Sequence, residues 1–327
     1  MTTDTIPDQD RPSRFSLRGT EVTLAGIAVV GYVVLAATTH GSVLHGGTVT
    51  SIFQFLAVPM VIGLSQMAVL AVGQMNLSVG VLTGFSAMTS AWLMEQQGLP
   101  AWLAVLAGVV TGAGVGLVNG LLVVLTRING FIVTLATMTI IDGLRYGVHG
   151  TATYQGYSPG LVSLGQASVL GVPTVFVLAV VVAVVVAVFF RRVAVGRQLL
   201  ASGGNPLAAR LSGVSNDRSL VIAHVISGLL AGVAGVIVVA LSGSVNATIG
   251  DDLLLPSFAA PIIGGVALTG GVVSVLGTCL AALIIRLVDV AQAQYSINPE
   301  WVDLIVGAVV LGAVLVTQLR IRRKGTA

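Results

Sequence analysis

Within the apolar runs of this 327-residue chain, side chains able to do chemistry are few. Gln74 to Gly80 reads QMNLSVG, a polar, glycine-flanked break at the start of an apolar run. Two amides (Gln74, Asn76) and a hydroxyl (Ser78) in hydrocarbon require partners. A helix restarting there also exposes N–H groups that would face a neutral polar solute. The same groups suit hydrogen bonds between packed helices, so both roles stay open. Thr134 and Thr137 are three apart and share a helix face, where they would line a path or back-bond their own helix. The acids near apolar runs are Asp142, Asp289 and Asp303. The first two stand three residues from Arg145 and Arg286, a spacing that makes ion pairs. No chain of embedded carboxylates suited to proton or sodium coupling is present.

Catalytic and metal chemistry find no foothold. The four histidines (His40, His45, His149, His224) show no metal-ligand spacing, and His224 is expected to be packed or interfacial. Gly84-Phe85-Ser86-Ala87 lacks the last glycine of the G-x-S-G of intramembrane serine proteases. The only lysine, Lys324, has no G-x-x-x-x-G-K context, so the chain cannot hydrolyse ATP through a P-loop. One cysteine, Cys279, excludes an internal disulfide and reads as a buried, inert thiol. We therefore expect no catalytic residue, no metal and no cofactor bound by this chain.

The elements that must carry these residues follow from composition. The chain is 55 % hydrophobic and 8 % charged, with mean hydropathy +1.01, whereas soluble domains carry about 25 % charged residues. The bilayer must be its solvent. Runs of roughly 20 apolar residues predict an all-α polytopic membrane protein of about ten transmembrane helices. They fall near residues 21–39, 51–72, 76–95, 101–125, 131–148, 172–190, 219–241, 253–270, 272–290 and 301–319. Gly73-Gln74 and Gly270-Gly271 mark the breaks within this series. Placing both termini in the cytoplasm puts thirteen of the fifteen basic residues on that side, leaving Arg145 and Arg286. The domain layout is then a polar tail at 1–19, one transmembrane unit at 20–319 and a basic tail at 320–327. The first apolar run is expected to be a retained helix rather than a cleaved signal. On the outer side, residues 149–171 are long enough to fold over an opening or receive a partner.

The longest polar interruption, residues 191–218, holds five arginines and is cytoplasmic on that count. Asn205 suits a helix N-cap and Pro206 the first helical position. Leu207 to Ser212 supply under two turns, and Gly213 suits the left-handed residue that ends them. A capped helix on a cytoplasmic loop is a handle for another protein to push.

Gly196, Arg197, Ala201, Gly203, Asn205, Ala208, Ala209, Arg210, Leu211, Ser212 and Gly213 stand at the places of G-R-x-x-x-A-x-G-x-N-x-x-A-A-R-L-S-G. This string resembles the coupling loop of ribose-type ABC transporter permeases. Gly73, Leu77, Ser78, Val79 and Gly80 resemble that family's G-G-x-D-L-S-V-G, with Gln74 and Asn76 in place of glycine and aspartate. Phe131, Ile132, Thr134, Leu135, Thr137 and Met138 resemble its P-x-F-I-x-T-L-G-T-M. Ala259, Ala260, Ile263, Gly264, Gly265, Leu268, Gly270, Gly271, Ser274, Gly277 and Thr278 follow its glycine-rich string. Glycines at that density allow close backbone approach, so Gly80, Gly264, Gly265, Gly270 and Gly271 are expected to be structural. Gly112, Gly116 and Gly120, four apart, are read as packing only.

The resemblance covers roughly residues 50 to 320. It implies the inner-membrane permease of a bacterial, binding-protein-dependent importer of a small neutral sugar, such as a pentose, related polyol or furanosyl compound. Its implied partners are two cytoplasmic ATPase domains that carry the ATP and Mg, an extracytoplasmic sugar-binding protein, a second permease copy or sister permease, and membrane lipid. Nucleic acid is not implied. On this reading Gly203, Gly204, Asn205, Ala208, Ala209, Arg210, Leu211 and Gly213 couple to the ATPases. Gln74, Asn76, Ser78, Phe131, Thr134 and Thr137 line the path. The alternative is a secondary transporter driven by an ion gradient, to which broken helices are also suited.

Overall fold

The computed structural model describes residues 14–301 except 156, 170 and 299, together with 304, 307, 308, 311 and 312. Its elements in chain order are α1 (Arg14–Thr38), α2 (Gly46–Leu70), α3 (Val79–Glu95), α4 (Ala101–Thr126), α5 (Gly130–His149), α6 (Pro159–Gln166), α7 (Thr174–Arg192), α8 (Ala194–Gly204), α9 (Pro206–Leu211), α10 (Asn216–Ser242), α11 (Leu254–Ile263) and α12 (Val275–Tyr295). A two-residue antiparallel hairpin (Ser168–Val169 with Val172–Pro173) closes the outer turn before α7. The all-α, polytopic class holds. Among the described residues seven helices are long and apolar enough to cross a membrane.

Two further expected spans are shortened for one reason. Where the run 76–95 was expected to be helical throughout, the chain leaves α2 at Leu70 and resumes helix only at Val79. Where 253–270 was expected, only Leu254–Ile263 is helical, and the chain unwinds from Gly264 to Ser274. At about 1.5 Å per residue, α11 extends about 15 Å, half the hydrocarbon thickness of about 30 Å. The expected span 301–319 and the tail 320–327 lie largely outside the described residues. Of the expected tail 1–19, residues from Arg14 already belong to α1.

Helices α2 and α10 form the centre, with Ile62, Leu64, Met67, Leu70 and Ile237 fully buried. Helices α1, α4, α5 and α7 ring them and expose valine and leucine, for example Val29, Val110, Ile140 and Val185, as lipid-facing helices do. The tightest seam joins α4 to α10. A Cβ on Gly112 would lie 2.4 Å from Gly228 O, and one on Gly116 would lie 2.3 Å from His224 O. These two glycines, with Gly120 against Val221, allow the two backbones to touch, which is a packing role.

On the outer side the chain between α10 and α11 turns inward. Gly250 lies against Gly80, the second residue of α3, and Ile249 against Gly84. Arg145 of α5 holds this dip. Its fully buried side chain donates to Ile249 O (2.9 Å), to Asp142 and to Asp251 (2.6 Å each). The expected Asp142–Arg145 pair is therefore one arm of a three-acceptor clamp. The Arg286–Asp289 pair is also present, at 3.7 Å. The loop 150–158 folds over the same region. Tyr154 exchanges backbone hydrogen bonds with Val245, its hydroxyl meets His149 Nδ1 at 2.9 Å, and Gln155 N donates to Glu95. Tyr157 donates to Val239 O, and burial, then the Glu95 charge, push its hydroxyl up to about 12.

Replacing Arg145 with methionine should free the dip and lower stability by about 3 kcal/mol. That is the lower end for a broken buried pair, because both acids are half exposed. Arg145→Lys should fail to rescue, since a single ammonium cannot reproduce the planar fork that reaches three acceptors. Thermal unfolding in detergent, with wild type alongside, checks both expectations.

Candidate functional site

The unwound stretch Ala71–Ser78 leaves backbone groups unpaired where no water is available, so side chains must meet them. Gln74 Oε1 accepts from Gly130 N (2.8 Å), fastening the break to the first turn of α5. Leu77 N donates to Thr134 Oγ1 (3.0 Å). Asn76 is fully buried. Its Oδ1 accepts from both the backbone N (2.9 Å) and the hydroxyl (2.6 Å) of Ser78, and its Nδ2 donates to Ser227 Oγ (3.0 Å). Ser227 is in turn met by Ser65 at 3.0 Å. Ser78 Oγ accepts from Asn119 Nδ2 (3.3 Å), and Asn119 Oδ1 accepts from Thr137 Oγ1 (2.6 Å). With its amide oriented to satisfy both neighbours, Gln66 pairs with the backbone of Asn76.

Two hydrogen-bonded groups thus tie the break to its neighbours: Asn76 and Ser78 join Ser65 and Gln66 of α2, Asn119 of α4, Thr137 of α5 and Ser227 of α10, while Gln74 and Leu77 join Gly130 and Thr134 of α5. Thr134 also donates back to Gly130 O (2.7 Å), and the Thr137 hydroxyl proton is shared between Asn119 Oδ1 and Val133 O (3.0 Å). Phe131 stands apart from the network, 43 % exposed on the outer face of α5. Sequence reasoning missed Asn119, Ser65, Gln66 and Ser227. The signal available for Asn119 was an amide inside an otherwise apolar span, GLVNGLL. His224 is fully buried in α10, with Nδ1 on Leu220 O (2.9 Å), as a packed histidine.

The polar loop 191–218 folds as its residues dictate. Asn205 caps α9 by accepting from Ala208 N at 3.0 Å, Pro206 occupies the first position, and Gly213 ends the helix at φ +81°. The helix runs Pro206–Leu211, with Ser212 as its C-terminal flank. Sequence reasoning missed α8 in front of it. Asn216 ties the pieces together, accepting from Ser202 Oγ (2.9 Å) and donating to Pro206 O (2.9 Å). Arg127 pairs with Asp217 at 2.7 Å, and that hydrogen bond and charge raise the guanidinium pKa. Ala209 faces inward, whereas Arg210 is exposed. Leu207 and Leu211, one turn apart, are 69 % and 82 % exposed.

The end of α8 rests directly on both membrane breaks. A Cβ on Gly203 would fall 2.0 Å from Ala71 O and 2.7 Å from Gly271 N. Gly271 N donates to Ala71 O (2.9 Å), and Gly73 lies against Thr269 O. Gly270 and Gly271, at φ +90° and +81°, make the tight turn that brings these backbones together. Gly264 sits against Thr278 N and Gly277, Gly265 has φ +87°, and Gly80 abuts Gly250. The loop an outside protein would push is thus in backbone contact with both unwound segments.

Comparison with known proteins follows this geometry. Residues 42–314 match the family described as the permease component of the branched-chain amino acid transport system. A probable ABC transporter permease of Sinorhizobium fredii is 31 % identical over 94 % of this chain and 91 % of its own length. An L-arabinose ABC transporter permease of Azospirillum brasilense is 33 % identical over 79 % of this chain and 76 % of its own. A fructose import permease of Rhizobium meliloti is 30 % identical over 89 % and 83 %. No solved structure matches the chain.

Two substitution pairs test the geometry. Asn76→Leu strands both groups of Ser78, at about 1–3 kcal/mol for each buried group left unpaired. It should lower the thermal midpoint. Asn76→Asp should not, because the Ser227 hydroxyl can turn to donate. At the α8 contact, Gly203→Ala should abolish transport, since no side chain nearby can yield to the added methyl. Gly204→Ala, with its nearest neighbour at 3.6 Å, should retain it. Uptake in whole cells, normalised to membrane content, separates the two.

Proposed function

The chain belongs to the ABC transporter permeases matched above, and on that premise we propose that it imports a small neutral sugar, driven by separate ATPase subunits. Members of this family are multi-pass membrane permeases without catalytic residues of their own, and ATP is bound by their partners. The sugar is delivered outside by a binding protein, and two permease chains, identical or sister, flank the route.

The observation that carries this reading is the cytoplasmic helix α9. It is capped at both ends, carries Leu207 and Leu211 bare to the cytoplasm, and continues from a helix seated on both membrane breaks. An isolated six-residue helix has no reason to display two leucines to water, whereas an apolar pair on a rigid stub fits a groove in a partner. Nucleotide-driven closure of the ATPases would push α9. Asn205, Ala208, Ala209, Arg210, Leu211 and Gly213 would supply its shape and contacts, and Gly203 and Gly204 would pass the movement to Ala71–Ser78 and Gly264–Ser274.

The same mechanism assigns the path to the network's edge. Gln74, Asn76, Ser78, Thr134 and Thr137 would offer amides and hydroxyls without net charge once the break moves and their mutual bonds open, and Phe131, apart from them on α5, would add an exposed ring farther along. Such a wall suits hydroxylated, uncharged solutes, pentoses and related furanosyl compounds among them. Relatives named for arabinose and fructose support the sugar class. A gradient-driven mechanism finds little support, because Asp142, Asp217, Asp251 and Asp289 are all engaged in ion pairs.

Affinity purification of the tagged permease from native membranes should bring down a P-loop ATPase in fixed ratio. Leu207→Asp with Leu211→Asp should remove that ATPase while leaving the amount of permease in the membrane unchanged. A permease that purifies without any ATPase, or that keeps it after both substitutions, would overturn this assignment.

A further inference from the structure

The shortness of α11 leaves room above it. A full span between α2, α10 and α12 would fill the outer half of the membrane at this place, but α11 starts only at Leu254, and the chain reaches it through the dip. The result is a cavity of about 380 Å³, within the range of small-molecule sites. Its floor is Leu253 and Pro256 at the start of α11. Its polar lining is Ser242, Asp252, Arg286, Asp289 and Gln292, and Phe55 supplies a half-exposed ring. None of these residues belongs to the break network.

Arg286 is the informative group. Its guanidinium lies 5.2 Å from the centre of the Phe55 ring and 3.7 Å from Asp289, a long contact for an ion pair. Its Nε is buried and has no hydrogen-bond partner among the described residues. The long contact to Asp289 leaves guanidinium N–H capacity for a further acceptor, and a donor left short of partners beside a polar cavity is costly unless something fills the place. One arginine beside two aspartates leaves the lining net negative, which disfavours free anions. A solute whose groups each donate and accept satisfies all of them. Hydroxyls donate to the carboxylates and accept from the guanidinium and the Gln292 amide, while the C–H face rests on Phe55.

We propose that this cavity is an outward-facing binding site for a neutral monosaccharide, held within one permease chain above the half-helix α11. This rests on the sugar-import reading given above, and the experiment separates the two. In cells carrying the complete importer, uptake of fructose, arabinose, galactose and allose identifies a sugar the wild type accumulates. In a Cys279→Ser background, Gln292→Cys should react with a membrane-impermeant maleimide applied from outside. The accumulated sugar should slow that reaction several-fold, and gluconate, of similar size but charged, should not. Gln292→Leu should raise the KM for uptake about ten-fold, the effect of one lost hydrogen bond worth about 1.4 kcal/mol, with the maximal rate little changed. Arg286→Lys should do the same, since a single ammonium cannot present the planar fork of N–H donors to the solute.

Should the sugar be accumulated but give no protection of Gln292→Cys, with KM unchanged in Gln292→Leu, the cavity is not its site and the import reading stands. Should wild type accumulate none of the four sugars, the import reading falls and takes this site with it.

Discussion

Backbone that leaves the helix inside a bilayer has no water to turn to, so every freed N–H and C=O must be met by protein. Ala71–Ser78 is such a segment, and meeting its demand organises the molecule. Gln74 reaches α5, Thr134 reaches back to Leu77, and Asn76 folds its amide over Ser78 while touching Ser227 of α10. Asn119 of α4 joins only because the α4–α10 seam is glycine against glycine, which draws α4 close enough for its amide to arrive. The packing seam and the polar network are therefore one arrangement. Bulk at Gly112 or Gly116 would move the partner on which the unwound backbone relies.

A network of this kind is satisfied in a particular geometry, and that bears on how motion can travel. Close-packed contacts have few intermediate positions, so a small push is either absorbed by compliant side chains or passed on whole. Between α8 and the two breaks there is little side chain to absorb it: Gly203 meets Ala71 O and Gly271 N, and Gly270 meets Gly73 N. The contact between α8 and the two breaks runs through peptide groups. Flexible connectors would dissipate the same displacement as rotamer changes.

What could be read from the sequence was what short-range physics determines. Asn205-Pro206 and Gly213 state where a helix begins and ends within eight residues, and α9 sits there. Runs of apolar residues placed most of the described spans to within a few positions, but not the end of the run 253–270, where α11 stops at Ile263. Gly270-Gly271 announced a turn, and Asp142 with Arg145 an ion pair, because three residues on a helix is a fixed distance. The rest depends on chain segments far apart. Asp251 completes the Arg145 clamp from 106 residues away, and nothing near Asp251 encodes that meeting. The inward dip after α10 reads, in sequence, as an ordinary outer loop. Helix α8 was hidden by its polar, arginine-bearing composition, since hydropathy marks spans but says nothing of helices lying in water. The polar residues in QMNLSVG were conspicuous, yet whether they bind one another or a solute is decided by Ser227 and Asn119.

The two polar regions of the interior differ in a way that matters for a carrier of neutral solutes. Around Asn76 the donors and acceptors are matched with one another, so a solute gains there only by displacing existing bonds, and the region favours holding its shape over holding a ligand. Above α11 Arg286 makes a long contact to Asp289, and its Nε has no hydrogen-bond partner among the described residues. A solute therefore gains more there than at the break, but from few groups. Transit requires binding strong enough to admit the solute and weak enough to release it. A shallow outer site of a handful of partners, above a half-helix whose lower end runs into the turn touched by α8, meets that requirement.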